Sequence, residues 1–353
     1  MTQIRAADVA KRRLSIAARR LGTRDPVDTI GGLLDRSFEL PVGDPSYAYN
    51  ALLPGFMPIE HSFSEVSARS LRLDMEPFGP HASPMTRQQE VSREMRRLVQ
   101  TTYGQPALKW FDQRSEPWRA TRLSGAARFG AWFGAAFDDA GLQEAKVYYE
   151  IEGGRLDDLP PNLQHAGRVA MDCLPGLRPI FSSVACGRGQ GSQRIYFVHD
   201  GPLRLLDLEP AMHRLGIGAQ LPSLLTALGL ILGGRFTLPD GSVVLSLRDT
   251  QKGIEMKLEV LLPAVPDLPR EMHGLVQMHL AQRPESQRAL QQWIRAMTPD
   301  DEKSPGDISV LGVRVNPTMG ARLTLYFRPV GYDQPPSRSR IVADPGNPYH
   351  AAY

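Results

Sequence analysis

Cysteine is scarce: Cys173 and Cys186 are the only two in 353 residues. That excludes a disulfide-stapled scaffold and a cysteine-rich metal site, and both are expected to be small core residues. Long apolar runs are missing too. The most apolar stretch, Leu221 to Gly234, is interrupted by Pro222, Gly229, Gly233 and Gly234, and reads as a buried helix rather than a membrane span. The segment Met1 to Gly22 mixes Arg5, Lys11, Arg12, Arg13, Arg19 and Arg20 with apolar residues at helical spacing, without the uninterrupted apolar core of a signal peptide. A cytoplasmic protein with no membrane partner is the expectation. No block of Lys and Arg occurs, and the net charge is only +3, so no nucleic-acid partner is expected either.

Metal and nucleotide signatures are equally thin. Asp138-Asp139 and Asp300-Asp301-Glu302 sit in turns and lack the spacing of Mg²⁺-binding Asp-rich motifs. His61, His199, His213 and His273 show no ligand spacing. Gly187, Gly189 and Gly191 superficially suggest a phosphate loop, but they belong to a hairpin turn with no helix after it. With 42% hydrophobic and 22% charged residues, the composition is that of an ordinary soluble globular protein.

What is present is a recurring strand pattern. Arg72-Leu73-Asp74-Met75-Glu76, Lys146-Val147-Tyr148-Tyr149-Glu150, Arg194-Ile195-Tyr196-Phe197-Val198, Lys257-Leu258-Glu259-Val260-Leu261 and Arg322-Leu323-Thr324-Leu325-Tyr326 each begin with a cation. Side chains two apart share a strand face, so cations align with Tyr, Asp, Glu or Thr while the other face is mostly apolar. A charge on a covered face is costly unless it is paired or binds something. For any one segment an exposed cation on a sheet edge is the simpler reading. Recurrence in five units favours a shared inward face and a site for a multiply charged anion.

Each segment has an upstream partner strand. The pairs are Pro58–Ser64 with Leu71–Pro77, Ala131–Phe137 with Ala145–Ile151, Ile180–Cys186 with Gln193–Val198, Val243–Leu247 with Ile254–Leu262, and Ile308–Val315 with Arg322–Arg328. Turn residues mark four of the connections; Glu65 to Ser70 has neither Gly nor Pro. Helical spacing appears between hairpins, over Arg87 to Tyr103, Leu203 to Leu215, Pro222 to Leu232 and Arg270 to Met297, the last restarting after Pro284. The fold expected is α+β: a ten-stranded antiparallel β-barrel with a solvent-filled centre, surrounded by an outer ring of α-helices. Two separate sheets are the alternative. Residues 1–332 are expected to form this single domain, with N-terminal helices in 1–50 outside the barrel, and 333–353 a disordered tail.

At this point the chain resembles the dimethylallyltryptophan synthase group of aromatic prenyltransferases, the ABBA or PT-barrel family, over roughly Ala51 to Pro329. Leu53-Pro54-Gly55-Phe56-Met57-Pro58-Ile59-Glu60-His61-Ser62 resembles the family's Gly-x-Pro-x-Glu-x-Ser segment, with the Gly one residue further from Pro. Arg72-Leu73-Asp74-Met75-Glu76-Pro77-Phe78-Gly79 resembles Arg-x-x-x-Glu-Pro-(apolar)-Gly. Lys146-Val147-Tyr148 and Arg194-Ile195-Tyr196 resemble its Lys/Arg-x-Tyr motifs, and Tyr326 the Tyr of the last strand. Three departures stand out. Ser192 replaces a usual Arg, Glu259 stands where a shielding Tyr is expected, and the base lysine of many relatives has no counterpart near Trp132 and Phe133.

The resemblance implies transfer of a dimethylallyl group from dimethylallyl diphosphate to an indole, tryptophan or a tryptophan-containing small molecule such as a cyclic dipeptide, in secondary (alkaloid) metabolism. Glu60 would accept the indole N–H. Arg72, Lys146, Arg194, Lys257 and Arg322 would hold diphosphate, and Tyr148, Tyr196 and Tyr326 would shield the allyl cation. The tyrosines would equally serve as core residues with satisfied hydroxyls. Fixed cations can replace a metal, so no metal and no cofactor is expected, only small-molecule substrates. For the ring-deprotonating base, Glu60, His61 and a diphosphate oxygen stay open. The alternatives are a phenolic acceptor, or a non-catalytic barrel for an anionic or amphipathic ligand. The sequence carries no signal of oligomeric state.

Overall fold

A computed structural model describes residues 4–153, 155–189 and 191–332. The tail 333–353, expected to be disordered, lies outside the described residues. Its strands are β1 (Ile59–Ser64), β2 (Leu71–Met75), β3 (Ala131–Asp138), β4 (Gly141–Glu150), β5 (Leu177–Gly187), β6 (Ser192–His199), β7 (Leu203–Arg204), β8 (Thr237–Leu238), β9 (Val243–Thr250), β10 (Gly253–Leu261), β11 (Gly306–Asn316) and β12 (Met319–Pro329). Ten of them close one antiparallel barrel in the order β1-β12-β11-β10-β9-β6-β5-β4-β3-β2, while β7 and β8 form a separate ribbon. Closure comes from β1 against β12, where His61 pairs with Phe327 and Ser64 with Thr324. All five expected hairpins are present.

Helices α1 (Ala6–Leu21), α2 (Val27–Ser37), α3 (Pro84–Tyr103), α4 (Gln105–Ala120), α5 (Pro161–Cys173), α6 (Glu209–Arg214), α7 (Leu221–Ile231), α8 (Met272–Leu280) and α9 (Pro284–Met297) alternate with the hairpins. Local chemistry sets several boundaries. Ser83 accepts the Thr86 N–H at 3.1 Å and Pro84 opens α3, while Gly22 ends α1 at φ 72°. The stretch expected to be helical from Leu203 to Leu215 instead starts as β7, tightens into a 3₁₀ turn over Leu205–Leu208, and is α-helical only over α6. Pairing of Leu203 with Leu238 overrides the local helical spacing. Helices α4 and α5 escape the sequence reading because prolines at their starts, and Pro117 within α4, look like breakers. No helix among the described residues is long and apolar enough to cross a membrane.

Alternation along the strands divides the barrel wall. Met256, Leu258 and Val260 on β10, Leu311, Val313 and Val315 on β11, and Leu323 and Leu325 on β12 are fully buried in the main core between barrel and helices. Phe63 of β1 meets Trp293 of α9 at 6.3 Å, edge to face. Each such side chain contributes about 1.5–3 kcal/mol. Since the apolar set faces outward, the intervening residues point inward, and that is where the charges collect.

Candidate active site

Two adjoining spaces occupy the barrel interior. The upper cavity, about 460 Å³, is lined by Arg72, Lys146, Arg194 and Lys257, as the sequence suggested, and also by Arg248 and Arg314. The lower chamber, about 40 Å³, is lined by Glu60, Asp74 and Glu259 together with Trp132, Tyr148 and Phe181. Tyr196 and Tyr326 line both spaces and so form the floor between them. The chamber is far smaller than the ~300 Å³ at the low end of ligand clefts.

Register places like charges side by side. Arg194 pairs across strands with Arg248, and Lys257 with Arg314. Directly opposed like charges destabilise a sheet unless something neutralises them. Part of that neutralisation is internal. Glu255 accepts from Arg194 and, at 2.9 Å, from Arg248, with Arg314 4.0 Å away. Burial pushes its carboxyl up, but Arg194, Arg314 and Arg248 outweigh burial and hold it at about 2. Arg72 lies 3.6 Å from Glu144, and Lys146 lies 3.5 Å from Asp74. The Lys257 ammonium donates to Glu259 and to the Tyr326 hydroxyl, both at 2.5 Å. Burial brings its pKa down to about 8 despite Glu259.

Two glycines make room for the lysines. A Cβ on Gly134 would come within 2.1 Å of the Asp74 carboxylate and 2.7 Å of the Lys146 Cε. One on Gly312 would come within 2.7 Å of the Lys257 Cε. At the cavity rim Arg188 grips Asp138 through two bonds of 2.6 and 2.8 Å.

Tyr148 and Tyr196 of the tyrosine tier belong to a continuous aromatic surface with Trp132, Phe181 and Phe129. Tyr196 stacks on Phe181 with centroids 4.3 Å apart, Tyr148 lies 5.8 Å from Tyr196, and Trp132 stacks on Phe129 at 3.8 Å. Lys146 sits over the Tyr148 ring at 4.8 Å and Lys257 over Tyr326 at 4.6 Å. Tyr148 donates to Asp74 at 2.9 Å. Burial first, and Asp74 next, keep the Tyr148 hydroxyl protonated far beyond its usual range. Faces of this kind attract a cation and exclude water.

Glu60 lies beneath this tier, 7% exposed and cross-strand from Asp74. Burial, followed by Asp74 and Glu259, raises its pKa well above the ordinary carboxyl value. Glu76 faces inward as well but is already committed: Trp132 donates to it at 3.1 Å and Arg87 lies at 3.1 Å.

Two residues named from the sequence stand elsewhere. Arg322 does not line either space; it points to Glu65 at 3.7 Å, a carboxylate also held by Arg283. His61 is on the outer face of β1, buried, its Nδ1 without a partner among the described residues and its pKa pushed down to about 4 by burial. It is therefore not placed to act in the chamber. Arg248 and Arg314, unnoticed in the sequence, carried a readable signal. Val244-x-Ser246-x-Arg248 and Gly312-x-Arg314 are inward alternations on the upstream strand of each hairpin, whereas the recurring cation pattern lies on the downstream strand.

No family model matches the chain, and no curated protein matches it. Solved structures do. A 6-dimethylallyl tryptophan synthase aligns at TM-score 0.72 and 17% identity, over 92% of this chain and 96% of the other. The 5-dimethylallyltryptophan synthase of Streptomyces coelicolor aligns at 0.70 and 16%, over 95% and 100%. The prenyltransferase PriB, in a ternary complex with L-tryptophan and dimethylallyl thiolodiphosphate, aligns at 0.64 and 18%, over 93% and 97%. A closed ten-stranded antiparallel barrel ringed by helices, matched over nearly all of both chains, gives this protein the fold of the dimethylallyltryptophan synthases.

Proposed function

We propose that the chain is an aromatic prenyltransferase that moves a dimethylallyl group from dimethylallyl diphosphate to an indole, either tryptophan or a tryptophan-derived small molecule. The observation that carries this reading is the vertical order inside the barrel: a tier of cations, a tier of tyrosines, then a buried carboxyl. Ionisation of an allylic diphosphate separates an anion from an allyl cation, and each finds its complement in that order.

Arg72, Lys146, Arg194, Arg248, Lys257 and Arg314 hold the diphosphate and stabilise it as it leaves. One preorganised charge of this kind lowers the barrier by about 3–4 kcal/mol. Tyr148, Tyr196 and Tyr326 face the allyl cation, each ring contributing about 2 kcal/mol when desolvated. Glu60 accepts the indole N–H and enriches the ring. With His61 on the outer face, the ring proton goes to Glu60 or to a diphosphate oxygen, and the raised proton affinity of Glu60 suits it to that step. The cations supply the charge that Mg²⁺ gives other prenyl synthases, so no metal is required. The protein works in the cytoplasm, in alkaloid-type secondary metabolism.

Incubation with dimethylallyl diphosphate, tryptophan derivatives and EDTA, followed by mass spectrometry, tests the reading. An acceptor gaining one dimethylallyl group supports donor, class and metal independence together. Donor-analogue binding without transfer to any aromatic would leave a ligand-binding barrel, and no binding at all would remove the reading.

A further inference from the structure

Resting on that reading, we infer that the acceptor is an indole whose side arm bears a protonated amine or an amide N–H and no carboxylate. Glu60, Asp74 and Glu259 line the lower chamber, its other walls are almost entirely apolar or aromatic, and no cation is among the described residues that line it. Glu60 is the telling member. It is only 7% exposed, it lines the chamber, and among the described residues no hydrogen-bond or ion-pair partner reaches its carboxyl. A buried carboxyl without a partner is costly unless a ligand supplies a donor.

An indole N–H satisfies one carboxyl and leaves two. Asp74 accepts from Tyr148 at 2.9 Å, and Glu259 accepts from Lys257 at 2.5 Å. Their cationic neighbours, Lys146 and Lys257, line the upper cavity, and a bound diphosphate competes for both charges. With the donor seated, the chamber is therefore the negative end of the site. A carboxylate on the acceptor meets like charge there and finds no cation of its own, whereas an ammonium or amide N–H finds acceptors. Free L-tryptophan is the wrong charge type. Its amide, its decarboxylated amine or a cyclic dipeptide is the right one.

Four indoles separate these cases: L-tryptophan, L-tryptophan amide, tryptamine and indole-3-propionate. Each is assayed for transfer with dimethylallyl diphosphate and titrated into protein saturated with the thiolodiphosphate analogue. The amide and tryptamine are expected to exceed L-tryptophan in kcat/KM, and in affinity, by at least about fivefold, with indole-3-propionate poorest. Glu259→Gln should shrink the tryptamine-over-propionate ratio even where all rates fall. L-tryptophan within about fivefold of its amide, or a ratio unmoved in Glu259→Gln, overturns the inference and leaves the prenyltransferase reading standing. Donor binding with no member of the panel bound or used overturns the indole-amine assignment. Failure of the donor analogue to bind overturns the prenyltransferase reading itself.

Discussion

Replacing Arg314 with methionine should separate fold from function with opposite signs. Arg314 stands on β11 between Lys257 and Arg322, its cross-strand neighbours. Its side chain is 12% exposed and reaches Glu255 only at 4.0 Å. Among the described residues its hydrogen bond is a 3.5 Å contact to Thr324, and Nε has no partner. Burial lowers its pKa, Glu255 opposes that, and Arg194, Arg248 and Arg72 add to the lowering. The protein thus holds this charge against both desolvation and repulsion. Replacing a whole buried ion pair by packed apolar residues is typically neutral or stabilising by about 1–4 kcal/mol, whereas removing one partner is costly only where it strands the other charge. Glu255 keeps Arg194 and Arg248 when Arg314 goes, so the first case applies. At ~2–4 °C per kcal/mol, the Tm of Arg314→Met should be unchanged or a few degrees higher without donor.

The donor should feel the reverse. Two unit charges 4 Å apart attract by about 4 kcal/mol at an effective dielectric of 20, and losing one preorganised donor costs ~3–4 kcal/mol of barrier. These agree on a fall of roughly 100- to 1000-fold in kcat/KM for dimethylallyl diphosphate. Thermal unfolding with and without the thiolodiphosphate analogue, paired with donor kinetics, reads both effects. A Tm several degrees lower without donor, together with kinetics within about fivefold of wild type, would refute the reasoning and make Arg314 a structural residue.

Three other outcomes are expected. Lys257 has its pKa lowered to about 8 by burial, so it carries its charge below that pH and loses it above. Donor KM should therefore rise as pH passes about 8, with the limb displaced upward in Lys257→Arg; a flat profile to about pH 9.5 contradicts this. Gly134→Ala would drive a methyl group into Asp74 and Lys146, at 2.1 and 2.7 Å, so activity should fall at least about tenfold with far-UV circular dichroism preserved. Unchanged activity would mean that Asp74 and Lys146 relax without consequence. Glu60→Gln should lower acceptor kcat/KM by about 100-fold while donor-analogue affinity holds; loss of donor binding would show Glu60 to be misplaced.

The barrel was legible because strand alternation is a local signal. Apolar residues such as Leu258 and Val260, or Leu323 and Leu325, recur at period two, and turn residues such as Gly187 and Gly320 punctuate them. The helices were read less completely, since α4 and α5 begin with prolines whose role as helix starters is visible only once the helix is there. Of the cations proposed for diphosphate, Arg72, Lys146, Arg194 and Lys257 share one cavity, and Arg322 turns to Glu65. A strand's face follows from its own sequence. The depth of a side chain along the barrel axis, and the carboxylate it meets, depend on neighbouring strands.

The amino-acid sequence by itself therefore determined the hairpins, the inward face of each strand, and the residue types on that face. Periodicity and turn chemistry are properties of adjacent residues. Only the tertiary structure decided that Arg194 lies beside Arg248 and Lys257 beside Arg314, and that Glu255 sits among three arginines. It also decided that Glu60 shares a chamber with Asp74 and Glu259. Barrel closure joins β1 to β12, more than 250 residues apart in the chain, and so makes contacts that no local pattern encodes.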